Sequence, residues 1–501
     1  MHLCLPRDAD STMIRPIRLK LALLVICMTA ISACGSASAA LPGSTPEAAG
    51  TAASGPTPLP TRSPHPPGEI FTYPAQSGDT LDSVAAHFNT SVREIRAANP
   101  DLPSAVTTLP PGYPLQVPAY YTPLTGSPFH ILPDSEVVDG PPGMDFDLQQ
   151  YVQETPGYLS GMESFAYKKQ RKAWEVVQVI AENYSLNPRL LLALLEYRTG
   201  ALSNPDPDPE YLTYPMDVKD IRYRGLFWQL VWVAERLNDG YYGWRTGELD
   251  EIQLLGGLVE RPDPWLNAGT VALHRLFADM YQGDAYDQAV SPEGFYQTYL
   301  ALWGEPFDLE TVLIPGSLQQ PEMGLPFLPN RVWDFSGGPH FSWGTSLPIG
   351  ALDFAPPAAE SGCVESSEWI AAPADGVITR SGEAIVMLDL DGDGDERTGW
   401  VVFFFHVAAE GRIAAGTQVK RGDTLGHPSC EGGRATGTHV HIARKYNGEW
   451  IPATGPLGFV LDGWVAAYGG ELYEGTLTKG SKVVPACTCS RPENQILYTL
   501  P

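Results

Sequence analysis

The spacing of apolar positions changes twice along the chain, so three kinds of unit are predicted. Between about 69 and 119 the elements are short. Phe71-Thr72-Tyr73 reads as a strand, and Ser77-Gly78-Asp79-Thr80 as a turn capping a helix through Val84 and Phe88. Ser91-Val92-Arg93-Glu94 has the form of a capping box at a second helix start, with Ser91 and Glu94 satisfying each other's orphan amides. That helix should stop near Asn99-Pro100, and Tyr113-Pro114-Leu115-Gln116-Val117-Pro118 supplies a closing strand, giving a βααβ order. Over 146–315 the period becomes helical: Trp174, Val177, Ile180, Ala181 and Tyr184 fall on one face. Asn187-Pro188 offers an N-cap with proline at the first helical position. Residues 190–195 are apolar all round, which predicts a central helix. Further helices are expected at 227–237, ending at Gly240, at 268–280, and at 295–302 after Ser291-Pro292. Over 325–501 strand signals dominate. Runs at 384–390 and 399–407 flank a tight acidic loop, and 438–446 and 449–452 are joined by Asn447-Gly448, the favoured pair of a two-residue hairpin. The expectation there is a mainly antiparallel β sheet or barrel-like sandwich.

What lies between these units changes the picture. Residues 35–68 are Ala, Gly, Ser, Thr and Pro almost throughout and read as a disordered tether. Proline-rich stretches at 120–145 and 315–329 read as linkers. Upstream, Arg15, Arg18 and Lys20 precede an apolar run over 21–33 that is too short for a typical membrane span and has the shape of a secretory signal. Ile31-Ser32-Ala33-Cys34-Gly35 resembles a bacterial lipobox, which implies a lipid anchor at Cys34. The alternative is a signal cleaved nearby without lipidation. Residues 1–34 are thus read as a lipoprotein-type signal peptide.

Composition narrows the function. The 501 residues carry 58 acidic and 32 basic side chains, a net charge of −26, which excludes a general nucleic-acid binder. A hydrophobic fraction of 43% suffices for packed cores. Outside the leader, four cysteines remain: Cys363, Cys430, Cys487 and Cys489. They allow three pairings, of which Cys363–Cys430 with Cys487–Cys489 is one. A thiolate zinc site is the competing reading and suits an oxidising compartment less well.

The chemistry concentrates in the last unit. In Gly437-Thr438-His439-Val440-His441-Ile442 the two histidines are two apart on a strand, so both rings leave one face. His340 and Asp353 sit on separate upstream segments, and His406 ends a Phe403-Phe404-Phe405 strand. Two imidazoles and a carboxylate form a mixed set that suits catalytic zinc with a fourth place for water. Acidic residues alternate through Asp389-Leu390-Asp391-Gly392-Asp393-Gly394-Asp395, so Ca2+ is one reading of this loop and a solvated hairpin turn the other. Glu196, closing the Leu194-Leu195 run, is either a general acid in an apolar pocket or the partner of Arg189 or Arg198. Gly240-Tyr241-Tyr242-Gly243-Trp244-Arg245 can line a sugar cleft or serve packing.

Three resemblances organise these signals. The βααβ unit, with Gly78-Asp79-Thr80-Leu81, Ile95, Asn99-Pro100 and Leu115-Gln116-Val117-Pro118, resembles a LysM domain, which implies binding to the N-acetylglucosamine chains of peptidoglycan. The helical unit weakly resembles the lysozyme-like lytic transglycosylases around Glu196, although Tyr197 follows where that family usually has serine. The series Gly338, His340, Asp353, His406 and Gly437-Thr438-His439-Val440-His441 resembles the lysostaphin and β-lytic zinc metalloendopeptidases. In most of that family the first His and the Asp are four apart; here they are thirteen apart, as in the branch with a Gly-Gly-x-His stretch. Trp333-Asp334-Phe335-Ser336-Gly337-Gly338, Ala372-Pro373-Ala374-Asp375-Gly376-Val377 and Lys420-Arg421-Gly422-Asp423-Thr424-Leu425-Gly426 support the match. The resemblance implies that His340, Asp353 and His441 hold Zn2+ and that His406 and His439 are catalytic. The resemblance implies an exported cell-wall hydrolase, at the cell envelope or outside the cell, that cleaves peptide stems or cross-bridges of peptidoglycan by zinc-activated water. Its partners are peptidoglycan glycan and peptide stems, not nucleic acid, and it meets a membrane only through the Cys34 anchor. The alternatives are a non-catalytic wall-binding scaffold or hydrolase activator, and glycan cleavage by the helical unit.

Overall fold

The computed structural model describes residues 64–123, 125–358 and 360–499. The signal and lipobox residues, Cys34 included, and most of the tether lie outside them.

The first unit has the expected order. Strand Glu69–Pro74 pairs antiparallel with Pro114–Ala119, and helices Leu81–His87 and Val92–Ala98 lie between them in sequence. Thr80 forms a reciprocal capping box with Ser83. At the second helix only half of the predicted box forms. The Ser91 side chain accepts from the Glu94 amide, and the Glu94 carboxylate bonds the Ser91 hydroxyl instead of its amide.

The middle unit is helical, built from Ala173–Tyr184, Pro188–Thr199, Leu226–Thr246, Ala268–Met280 and Phe295–Trp303 with shorter pieces. Asn187 caps Pro188–Thr199 as predicted, and residues 190–195 are fully buried. The helix expected to end at Gly240 instead runs on to Thr246. Gly240 is there for contact: a Cβ at this position would stand 2.7 Å from the Cα of Ala272 on the neighbouring helix. Tyr241, Tyr242 and Trp244 are consequently buried packing, and the sugar-cleft reading of this segment falls.

The stretch 120–145 is no linker. Ile131, Leu132, Val137 and Val138 belong to the helical core, and Asp134 bonds the Gly269 amide and the Asn267 side chain at 2.7 Å. Nor does 315–329 float. Thr108 holds Ser317 and Leu318, and Thr107 and Ser77 bond Leu318 and Ile314. Proline content marked both stretches as linkers because proline disfavours regular ladders; it does not prevent side-chain packing.

The last unit is built on a nine-stranded antiparallel sheet, with a smaller four-stranded sheet over 460–485. The order in the larger sheet is Gln418–Val419, Gly376–Gly382, Ile385–Asp389, Trp400–Phe405, Val440–Tyr446, Ile349–Ala355, Val332–Phe341 and Gln495–Leu497, with Glu449–Trp450 paired beside Val440–Tyr446. Asn447 and Gly448 both take positive φ in the predicted hairpin turn. The central strands are apolar on both faces because both are covered. Val386, Val402, Phe404 and Ile442 pack into a core within this unit, whereas Met387, Val401, Phe403 and Ala443 join the core of the helical unit.

Cys363 pairs with Cys430 and Cys487 with Cys489, the arrangement named among the three.

Candidate metal centre

Three neighbouring strands carry the candidate ligands in register. His441 lies directly across from Asp353 in one antiparallel pair, and His340 lies across from Ala351 in the next, so all three project from one face. That face is the one the helical unit covers. Gly337 also stands opposite Asp353, and a Cβ there would come within 2.7 Å of the Asp353 Oδ2 atom, so the carboxylate requires glycine beside it.

Hydrogen bonds to backbone carbonyls set every ring. Carbonyl oxygens only accept, so the ring nitrogen facing one must carry the proton. His340 donates from Nδ1 to Gly338 at 2.9 Å, which leaves Nε2 bare. His441 donates from Nε2 to Ser342 at 3.0 Å, which leaves Nδ1 bare. The two bare nitrogens face each other at 3.0 Å. Asp353 Oδ1, buried without a hydrogen-bond partner, lies 3.3 Å from the first and 3.5 Å from the second. Three electron pairs turned on one another repel unless a cation lies among them.

The triangle has the size zinc requires. Ligands held at ~2.0–2.1 Å on the corners of a tetrahedron are separated by about 3.3 Å. Electrostatics express the same demand for positive charge. Burial lowers the pKa of His340, but Asp353 outweighs it and the net shift is upward. Burial also opposes ionisation of Asp353, yet His340 and His439 hold its carboxyl well below the usual range. At His441 burial prevails and pushes the pKa down.

Two more histidines border the site. His439 donates from Nδ1 to Gly437 at 2.7 Å, and its Nε2 is 3.8 Å from Asp353 Oδ2. His406 donates from Nδ1 to Glu431 at 2.7 Å, and its ring centroid is 4.5 Å from that of His439. Burial, then His439, pushes His406 down to about 3. His406 takes a positive φ of 64° at the end of its strand, a conformation unusual for a side chain of this size and characteristic of functional sites. All five singled-out residues thus meet in one place. Sequence reasoning missed the four carbonyls that orient the rings, because any residue type supplies a carbonyl. It also missed Tyr473, which stacks on His340 at 4.3 Å from a loop far along the chain.

Other candidates do not join the site. Glu196 pairs with neither Arg189 nor Arg198. Its carboxylate accepts from the Leu202 and Ser203 amides and the Ser203 hydroxyl, closing the turn after its helix, while Arg198 pairs with Asp217. A carboxylate spent on that turn is a structural group, and the lysozyme-like reading of the helical unit is not supported. Asp389, Asp391 and Asp393 cluster, but Asp389 accepts from the amides of Asp391, Gly392 and Gly394, and nothing beyond the acidic cluster points to calcium.

Two family models match along this division of the chain, and several solved structures and curated relatives are similar to parts of it. Among solved structures, the M23 metalloprotease pseudoalterin from the deep sea aligns with 33% of this chain and 96% of its own, at 23% identity and a TM-score of 0.29. The lysostaphin catalytic domain of Staphylococcus simulans aligns with 25% of this chain and 89% of its own, at 18% identity and a TM-score of 0.18. A LysM domain model matches residues 73–118, and the model of the LasA N-terminal domain matches 130–315, beginning inside the stretch expected to be a linker. Protease LasA from two strains of Pseudomonas aeruginosa is 25% identical over 363 residues, covering 68% of this chain and 78% of the relative. With a buried His-Asp-His site beside these matches, the chain resembles the LasA-like zinc metalloendopeptidases of the lysostaphin (M23) type, with a LysM match ahead of a LasA-type N-terminal region.

Proposed function

We propose that the protein hydrolyses the peptide stems or cross-bridges of peptidoglycan, with zinc held by His340, Asp353 and His441 and protons moved by His406 and His439. The observation that carries the reading is the pair of bare imidazole nitrogens facing each other at 3.0 Å beside an unpartnered carboxylate oxygen. When bound, zinc supplies a Lewis acid for the scissile carbonyl and brings the pKa of a water to about 7. The chain's own residues do the rest. With Nδ1–H committed to a carbonyl, His439 and His406 each present a bare Nε2 as a proton acceptor. Whichever ring takes the water's proton becomes a donor, able to bond the tetrahedral oxyanion and then return the proton to the leaving amine. The other stays an acceptor and orients the water. His439, nearer the ligand set, is the better placed to act first.

The LysM unit would hold glycan and so raise the local concentration of peptide at the peptidase. Two disulfides suit an exported protein. We place it at the cell envelope through lipidation of Cys34; release of a Cys34→Ser variant into the medium supports the anchor, and unchanged membrane retention rejects it.

The decisive test is zinc content together with new amino termini released from purified peptidoglycan. His441→Ala should lose both. His439→Ala and His406→Ala should keep one zinc per chain and lose about 10²–10⁴ in rate. Zinc binding without new termini from any peptidoglycan leaves a wall-binding scaffold and rejects the hydrolase.

A further inference from the structure

The residues between His340 and Asp353 include a loop, 342–348, that reaches away from the sheet and into the helical unit. Its base is closed by the Ser342 amide donating to the Pro348 carbonyl at 3.0 Å. Its far end is held by one helix. The Thr345 hydroxyl donates to Glu235 Oε1 at 2.6 Å, and the Leu347 amide donates to Asp239 Oδ1 at 3.1 Å. Glu235 and Asp239 are one turn apart on Leu226–Thr246, so a single helix face presents both acceptors. Gly344, at φ +65°, lies against Tyr184 so closely that a Cβ would come within 3.0 Å of its ring.

The other end of the loop touches the metal centre. The Ser342 carbonyl is the acceptor that fixes the His441 tautomer. Trp343 packs edge-on against Phe403 and Phe405, at 5.7 and 5.0 Å, and those two rings meet the edge of His441 at 5.7 and 6.3 Å. One short loop therefore joins two carboxylates on the helical unit to the hydrogen bond and the aromatic wall that aim a zinc ligand.

We infer that Glu235 and Asp239 are positioning residues for the metal centre, through which the helical unit, acting on the 342–348 loop, holds His441 in its ligating tautomer and orientation. The inference rests on the zinc reading above. Loss of the group that hydrogen-bonds a ligating histidine typically costs 10–100-fold in metal affinity, and here that group, the Ser342 carbonyl, sits on the loop that Glu235 and Asp239 hold.

The test uses the full chain and measures zinc affinity by chelator competition, with the absorption spectrum of the Co(II)-substituted protein as a report of ligand geometry. The Glu235→Ala/Asp239→Ala double variant should bind zinc at least about tenfold more weakly and shift the cobalt bands. Asp239→Asn, which keeps an oxygen for the Leu347 amide, should stay near wild type. If the double variant loses its fold, Thr345→Val removes the contact from the loop side and should weaken zinc in the same direction with shifted bands. A wild-type chain that takes up no zinc overturns the zinc reading and this one with it. Zinc-binding wild type beside variants of unchanged affinity and unchanged cobalt spectrum overturns this inference alone.

Discussion

Gly337 shows how much of the site depends on a missing atom. A methyl group there would meet the Asp353 carboxylate at 2.7 Å. Gly337→Ala should fold and lose zinc affinity by 10-fold or more, as chelator competition would read. Asp79 gives a prediction in pH. Burial raises its pKa from 3.8 to about 6, against the pull of its Gln76 and Tyr73 hydrogen bonds. Between those values the folded protein holds a proton that the unfolded chain releases, so stability falls as pH rises from 3.8 to about 6. Denaturant titrations at pH 4 and pH 7 should show a loss of about 1–3 kcal/mol that Asp79→Asn removes. At this scale the sequence was informative about which residues matter and silent about what holds them. Spacing singled out His439 and His441 as a pair on one face, and the resemblance to the lysostaphin and β-lytic endopeptidases added the roles of His340, Asp353 and His406. The orientation of each ring came from a backbone carbonyl, which no residue type advertises.

Arg245 sets the behaviour of elements. It lies in the last turn of Leu226–Thr246, where its guanidinium bonds Glu449 at 3.0 Å, Asp134 at 2.9 Å and the Ser77 carbonyl. One buried cation thus ties the small βααβ unit, the helical unit and the hairpin at the end of the peptidase sheet. Arg245→Met would leave two buried carboxylates without a counter-charge, and should cost about 3–5 kcal/mol of unfolding free energy. A shift of that size in urea titration, with one cooperative transition, is the expected outcome; two separated transitions would show that the units unfold independently. The helix boundaries were largely legible, since Ala173–Tyr184 carries clear apolar periodicity and Pro188–Thr199 an N-cap followed by an all-apolar run. Leu226–Thr246 was read too short because glycine is a common stop signal. Here Gly240 serves a close helix crossing, a property of the neighbour, Ala272, and not of the local sequence.

Across the whole molecule, the prolines misled. Residues 120–145 and 315–329 were expected to behave as flexible linkers, yet both are bonded into their surroundings. Limited proteolysis of the native protein should therefore spare bonds within 128–139 and 314–320, whereas a linker would be cut there first. Early cleavage at either place would contradict this packing. The sequence by itself determined the three kinds of unit, the antiparallel sheet, the cysteine count and the five residues of the centre. The units rest on local periodicity and turn chemistry; the five residues rest on side-chain type together with the resemblance to the lysostaphin and β-lytic endopeptidases. Only the tertiary structure decided that Glu196 is spent on a turn, that the helical unit covers the sheet face bearing the metal ligands, and that the 342–348 loop joins the two. Each of those depends on which groups lie within hydrogen-bond reach across more than a hundred positions of chain, or on a turn closed by groups several residues away. Local pattern carries no record of such distances.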